Sequence, residues 1–248
     1  MENLLRENER IDDLEFKGLK IIQNEQGFCF GIDSILLSDF AKEVKKDSTV
    51  VDLGTGTGIL PLLLCKKTQL KKIIGIEVQK EVYEMAQRSV KLNNLEDKIE
   101  LINDNIKSLI TILGINTIDV VVTNPPYKKI NTGLTNENKK KLISRHEIEA
   151  NLEDFIKISS KILKDNGVIY MVHRPDRLVD IIELMRKYKL EPKVLKMVVP
   201  KLNKRPNMIL IKGIKNAKPF LTIEENLCIY NENGTYTKEI LKIYNREV

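Results

Sequence analysis

Val50-Val51-Asp52-Leu53-Gly54-Thr55-Gly56-Thr57-Gly58 is the stretch on which the fold turns. Its apolar, β-branched start reads as a buried strand over Val50–Leu53. The glycines that follow let the chain turn tightly and let a ligand approach main-chain N–H groups at a helix N-terminus. A helix over Gly58–Lys67 and a second strand over Lys72–Glu77 come next. Outward from there the alternation continues. A helix over Lys80–Leu92 carries Val82, Met85, Ala86, Ser89 and Val90 on one face; strands at Ile99–Ile102 and Ile118–Thr123 follow it. Asn151 is placed to cap a helix over Leu152–Leu163, with Asn166-Gly167 as its stop. A strand at Val168–Val172, a helix over Pro175–Tyr188 and strands at Lys193–Val199 and Met208–Lys212 complete the series. Strand–helix alternation of this kind predicts an α/β fold with a mostly parallel sheet and helices on both faces.

Two pieces fall outside the alternation. Leu19–Phe30 reads as a hairpin, after which Asp33 is expected to cap a helix running to Val44. Phe220–Tyr244 reads as a second hairpin, turning at Asn233-Gly234, and a short helix. No Pro/Gly/Ser-rich linker separates them, so residues 1–248 are expected to form one domain, with an N-terminal piece (1–45), a core (46–215) and a C-terminal extension (216–248).

The chemistry sits at strand ends. The glycine run is D-x-G-x-G-x-G rather than the dinucleotide pattern G-x-G-x-x-G, and the carboxylate of Asp52 disfavours a phosphate there and suits a ligand with a cationic end. A plain strand-to-helix turn would explain the glycines alone. Glu77, close to twenty residues on, stands where a carboxylate accepts both ribose hydroxyls. Asp104, in Asn103-Asp104-Asn105, is placed to take an adenine amino group. Together these groups make the crevice of a doubly wound sheet a candidate nucleoside site.

After the fourth strand comes Thr123-Asn124-Pro125-Pro126-Tyr127. Two prolines fix the backbone and remove two donors. The Asn124 side-chain oxygen and the Pro125 carbonyl can then both accept from a single –NH2 group, while Tyr127 offers a flat face to a base. Holding an amine in this way needs positioning, not a strong base. A rigid Pro-Pro turn with a packed Tyr is the plainer explanation.

Composition narrows the classes. The chain has 248 residues, is 42% hydrophobic and has no Trp, so it can bury a core but is poor in ring surfaces for bases. No apolar run approaches the ~20 residues of a membrane span, and Met1-Glu2-Asn3-Leu4-Leu5-Arg6 is too polar for a secretory signal. Cys29, Cys65 and Cys228 lack metal-ligand spacing, and His146 and His173 are the only imidazoles. No metal site is expected, and the compartment expected is the cytoplasm. Residues 1–120 hold 16 Lys/Arg against 20 Asp/Glu (net −4), and residues 121–248 hold 25 against 15 (net +10). A basic second half suggests a polyanionic partner, although solvated lysines explain such a balance in many proteins.

In order and spacing, Asp52 to Gly58, Glu77, Asp104 and Asn124 to Tyr127 resemble the motifs of class I methyltransferases with an N-P-P-Y signature. The resemblance implies a Rossmann-like, seven-stranded sheet, S-adenosylmethionine as cofactor over the first three strand ends, and methyl transfer to an amino or amide nitrogen. Gly54, Thr55, Gly56, Gly58, Val78 and Asn105 join Asp52, Glu77, Asp104 and Asn124 as cofactor candidates. Asn124, Pro125, Pro126 and Tyr127 are the catalytic ones. DNA adenine methylases, ribosomal RNA guanine methylases and release-factor glutamine methylases share the signature. Three further stretches favour tRNA: Gly27 to Ala41, Ser144-Arg145-His146-Glu147, and Arg205 to Gly213 followed by Ile229-Tyr230 and Tyr236-Thr237. The layout as a whole is similar to the bacterial tRNA(Val) adenine-N6 methyltransferase family, which implies tRNA as partner and adenosine 37 as target. By resemblance Phe28, Phe30 and Asp33 border the methionine end of the cofactor; an ordinary hairpin with an Asp cap is the alternative. Lys128, Lys129, Arg145, His146, Lys204 and Arg205 are candidates for RNA contact, as are Lys139 to Lys141, in loops that solvated charge explains almost as well. His173 is expected to be structural. A non-enzymatic nucleotide-binding module would have no use for the N-P-P-Y signature.

Overall fold

The computed structural model describes residues 4–27, 31–127 and 150–246. Its strands in chain order are β1 (Glu9–Asp13), β2 (Lys20–Asn24), β3 (Thr49–Leu53), β4 (Lys72–Ile76), β5 (Ile99–Ile102), β6 (Ile118–Thr123), β7 (Leu163–His173), β8 (Leu190–Val199), β9 (Met208–Lys215), β10 (Thr222–Ile223) and β11 (Leu227–Cys228). The helices are α1 (Ile32–Phe40), α2 (Ile59–Lys67), α3 (Lys80–Leu92), α4 (Leu109–Leu113), α5 (Leu152–Ile162), α6 (Leu178–Lys187) and α7 (Lys238–Ile243), with single 3-10 turns at Ile106–Ser108 and Pro175–Arg177.

Seven strands form the body of one sheet in the order β8-β9-β7-β6-β3-β4-β5, and the two-residue strands β10 and β11 extend it by pairing with β8. All neighbours are parallel except β9, which runs against both β7 and β8. The chain moves outward from β3 to β4 and β5, then returns to place β6 on the other side of β3. The strand order therefore reverses between β3 and β6, where an open parallel sheet leaves a crevice beyond the strands' C-terminal ends. Apolar side chains fill both faces. One core contains Val50, Leu62, Leu64, Ile73 and Val120 with Leu36 and Leu37. The other contains Val51, Leu53, Val121, Phe155, Ile156 and Ile181. Among the described residues no helix is long and apolar enough to cross a membrane.

The central strands and α3 fall where the sequence reading placed them. The flanks differ. The N-terminal hairpin spans Glu9 to Asn24, not Leu19 to Phe30, because β2 pairs backward with the polar, largely exposed Glu9–Asp13. Only Ile11 in that strand is apolar, so periodicity carried no signal. Ile21 and Ile22 are fully buried, and the Ile22 N–H donates to Ser89 Oγ on α3 at 2.9 Å. α1 ends at Phe40 rather than Val44, and its cap residue is Gly31, not Asp33. The C-terminal hairpin reduces to one antiparallel bridge, Tyr230 with Tyr236, around the expected turn, while β10 and β11 join β8 in parallel. α5 stops at Ile162, before the Asn166-Gly167 expected to end it, because the chain enters β7 at once.

Asn151 does cap α5. Its side chain accepts from the Asp154 N–H at 3.0 Å, and Asp154 accepts from the Asn151 N–H at 3.1 Å, a reciprocal capping box. Asn151→Ala is expected to destabilise the protein by about 1 kcal/mol, and Asn151→Ser to restore most of it. Urea unfolding midpoints check this.

Candidate functional site

Two turns face each other across the crevice, one after β3 and one after β6. The strands bringing them there are joined at their ends, where the Thr123 hydroxyl donates to the Leu53 carbonyl at 2.9 Å. In the first turn, the Gly54 and Thr55 N–H groups donate to the Ile76 carbonyl at 3.0 and 2.9 Å, which ties the loop to β4. Gly56 has φ +58 and nothing within 4 Å of where a Cβ would stand, so the main chain is open there to a ligand. Gly58 has φ +88 and faces the Ala86 Cβ at 3.4 Å from its own Cβ position. Here glycine serves both the turn and the packing of α3.

Asp52 lies beneath this loop, fully buried. Among the described residues neither of its carboxylate oxygens nor the Thr55 hydroxyl has a hydrogen-bond partner. Burial pushes its pKa up to about 7, and the Glu77 charge adds to the rise. A buried, unpaired carboxyl is costly, and a cationic group entering the loop would favour its charged form. Glu77 is also buried. Its Oε2 accepts from the Gly56 N–H and its Oε1 from the Gln79 N–H, both at 3.0 Å. Those bonds orient the carboxylate and leave each oxygen a further acceptor site. Asn103, to which the sequence reading gave no role, donates to the Glu77 carbonyl at 2.8 Å and the Val78 carbonyl at 3.1 Å, and so braces β4 against β5. Asp104 is exposed, with Oδ1 on the Asn105 N–H at 2.6 Å. Asn105 caps the following 3-10 turn through the Lys107 N–H at 3.0 Å.

In the second turn, Asn124 and Tyr127 converge on Asp33. Asn124 Nδ2 donates to Asp33 Oδ2 at 3.0 Å, and the Tyr127 hydroxyl donates to the same oxygen at 2.7 Å. Asp33 Oδ1 accepts from the Ser34 N–H at 2.9 Å. Asp33 is thus a buried acceptor inside the first turn of α1, with its carboxylate committed to a tertiary contact. Gly31 leaves room for it, since a Cβ there would stand 2.9 Å from Asp33 Oδ1. A carboxylate only accepts, so the Asn124 amide must present its NH2 to Asp33 and turn Oδ1 away. Burial, foremost, and the Asp33 charge push the Tyr127 hydroxyl above the ordinary tyrosine range.

His173, at the end of β7, sets its ring 5.2 Å from that of Tyr127 at 61°. Its Nδ1 accepts from the Arg174 N–H at 2.8 Å. Burial, chiefly, lowers its pKa to about 4. The ring is therefore a neutral wall for Tyr127, the structural part expected of it, with a contact to the site that the sequence reading did not foresee.

Asp33, Asp52, Gly54, Thr55, Gly56, Gly58, Glu77 and Asn124 to Tyr127 all belong to this crevice, with Val78, Asp104 and Asn105 on its β4–β5 side. Lys204 and Arg205 lie on the connection from β8 to β9, three strands from β6. Phe28, Phe30, Lys128, Lys129, Lys139 to Lys141, Arg145 and His146 lie outside the described residues.

The arrangement is similar to proteins of known class. A family profile described as the methyltransferase small domain matches residues 31–189. A tRNA1(Val) (adenine(37)-N6)-methyltransferase of Porphyromonas gingivalis is 27% identical over 239 residues, covering 94% of this chain and 93% of the relative. A protein of the same name from Haemophilus influenzae is 26% identical, covering 92% and 94%. Among solved structures, one described as a predicted O-methyltransferase from Agrobacterium tumefaciens superposes with a TM-score of 0.68 at 20% identity, over 86% of this chain and 95% of the other. P. horikoshii TYW2 in complex with MeSAdo gives 0.61 at 16%, over 86% and 73%. These likenesses bear out the Rossmann-like sheet. Because the profile runs from the residue before α1 to the residue before β8, across both turns of the crevice, the chain belongs to the methyltransferase small domain family.

Proposed function

We propose that the protein transfers a methyl group from S-adenosylmethionine to N6 of an adenosine in tRNA, adenosine 37 of a valine tRNA by likeness to the named relatives. The observation that carries the reading is the Asp33–Asn124 bond, which fixes one face of the Asn124 amide and presents Oδ1 as an acceptor beside the open glycine loop. The net charge of +10 in residues 121–248 suits a polyanionic substrate.

The residues present fit the cofactor. The unpaired Asp52 carboxyl suits its cationic amino-acid end, the oriented Glu77 carboxylate its ribose hydroxyls, and Asp104 with Asn105 its adenine. When bound, S-adenosylmethionine supplies an electrophilic methyl on a sulfonium. The chain's part is to hold the acceptor. Asn124 Oδ1 and the Pro125 carbonyl accept from the exocyclic amine, which directs its lone pair and draws the nitrogen toward tetrahedral geometry. Tyr127, tethered by its hydroxyl and backed by His173, keeps its ring fixed beside the splayed base. The nitrogen releases its proton to water once the methyl is attached, because an alkylated aryl ammonium is strongly acidic. Positioning of this kind accounts for catalysis without a strong base.

The test is transfer of labelled methyl from S-adenosylmethionine to unmodified bulk tRNA, followed by nucleoside analysis. Label in N6-methyladenosine is expected. Label confined to ribosomal RNA or to a release-factor polypeptide would overturn the substrate and keep the reaction.

A further inference from the structure

The aromatic tail is not used by the site described so far, yet it lies on the same edge of the sheet. β8 is parallel to β7, since β9 runs against both, so the C-terminal end of β8 opens toward the crevice. β11 runs parallel to β8, with Leu227 opposite Val198 and Cys228 opposite Val199. The chain then continues past the strand end, with the Tyr230 N–H donating to the Pro200 carbonyl at 2.9 Å. The turn that follows is built by main-chain bonds from Asn231 to Thr235 at 2.8 Å and from Gly234 to Asn231 at 3.0 Å.

Across that turn the rings form a column. Tyr230 and Tyr236 stack with centroids 5.3 Å apart at 13°. Tyr236 and Tyr244 stack at 5.6 Å and 20°, and the Arg246 guanidinium lies 5.5 Å over Tyr244. Arg246 closes one end of the column. Tyr230 stands at the other and is 36% exposed. Beside it runs the loop Pro200-Lys201-Leu202-Asn203-Lys204-Arg205-Pro206-Asn207, with three cations and no acid. Lys201 Nζ donates to the Glu232 carbonyl at 2.9 Å and joins loop to turn. Lys204 and Arg205 are exposed and make no ion pair among the described residues.

We infer that Tyr230, with Lys204 and Arg205, forms a stacking platform for single-stranded RNA next to the methylated nucleotide. This rests on the proposed tRNA reading and deepens it. Aromatic faces take bases without regard to sequence, and cations alongside them track the backbone. A ring already held parallel to its neighbours loses little freedom when a base extends the column. Four sheet spacings separate β11, which leads into Tyr230, from β6, about 19 Å, so the platform stands where nucleotides flanking a splayed adenosine would pass. Sequence-specific RNA recognition works on such unstacked loops, and among the described residues Tyr230 and Phe220 are the aromatic side chains that stand exposed.

The experiment compares wild type, Tyr230→Ala, Tyr230→Phe and the double variant Lys204→Ala/Arg205→Ala in methyl transfer to unmodified tRNA over a salt series. Melting temperature and S-adenosylmethionine affinity are measured in parallel. Tyr230→Ala is expected to raise KM for tRNA about 10-fold, within the range for loss of one stacked base. Its kcat and cofactor affinity stay unchanged, and Tyr230→Phe behaves as wild type. The double variant is expected to flatten the salt dependence of tRNA binding by roughly 1 to 2 in log–log slope. A wild-type KM in Tyr230→Ala, with tRNA methylated normally by wild type, would overturn the platform and leave the function standing. Wild type leaving tRNA unlabelled would overturn both. If Tyr230→Ala instead lowers melting temperature and cofactor affinity together, and Tyr230→Phe does not restore KM, the column is internal packing and the inference fails.

Discussion

Asn124→Ala lowers the rate of methyl transfer on the order of 10²-fold, the scale of losing a positioning contact at the reacting atom. The affinity for S-adenosylmethionine remains that of wild type, because the glycine loop, Asp52 and Glu77 are built on β3, β4 and their own hydrogen bonds. The substitution removes Oδ1, one of two acceptors for the amine, and leaves the Pro125 carbonyl. It also frees Asp33 of one donor while Tyr127 keeps its own bond to that carboxylate. Single-turnover transfer beside calorimetric cofactor binding measures the two effects separately. A parallel loss of binding and transfer would place Asn124 with the cofactor instead of the acceptor amine.

What was legible in the sequence was what the chain encodes locally. Val50–Leu53 and Ile118–Thr123 are short β-branched runs between turn signals. They are the two strands that meet at the switch point, so the place of the crevice follows from the sequence. Asn151 stands just before the helical run of α5, so its cap was readable from residue type, and the reciprocal bond from Asp154 completes it. Where local and tertiary demands competed, the tertiary one won. Asp33 looks like a helix cap, but its carboxylate is spent on Asn124 and Tyr127, 91 and 94 residues away. β1 has the polarity of a loop and is a strand only because β2 supplies its hydrogen bonds. The partner of β11 is β8, about thirty residues earlier, and no turn signal near Leu227 points to it. Ile106 to Leu113 gives no helical signal in the sequence because its helical pieces are short and rich in β-branched residues.

Asp33→Ala separates a positioning role from a structural one. The carboxylate holds the Asn124 NH2 and the Tyr127 hydroxyl on a single oxygen. Its removal has two consequences with different signatures. The Asn124 amide loses the bond that decides which way it faces, and kcat is expected to fall between about 10-fold and 10²-fold, since a displacement near 1 Å at a positioning group costs that much. The half-buried Tyr127 hydroxyl loses its acceptor on Asp33, which is expected to cost about 1 kcal/mol of stability. Adding Tyr127→Phe removes the orphaned hydroxyl. In the double variant, Asp33→Ala with Tyr127→Phe, stability is therefore expected to return while kcat stays low, because the amide of Asn124 is still unheld. If kcat recovered with stability, Asp33 would be acting through packing alone. If Asp33→Ala instead abolished S-adenosylmethionine binding, the carboxylate would belong to the methionine end of the cofactor. Only a low kcat with cofactor affinity intact follows from a carboxylate whose work is to aim one amide, and kcat, cofactor Kd and Tm of the two variants read that difference directly.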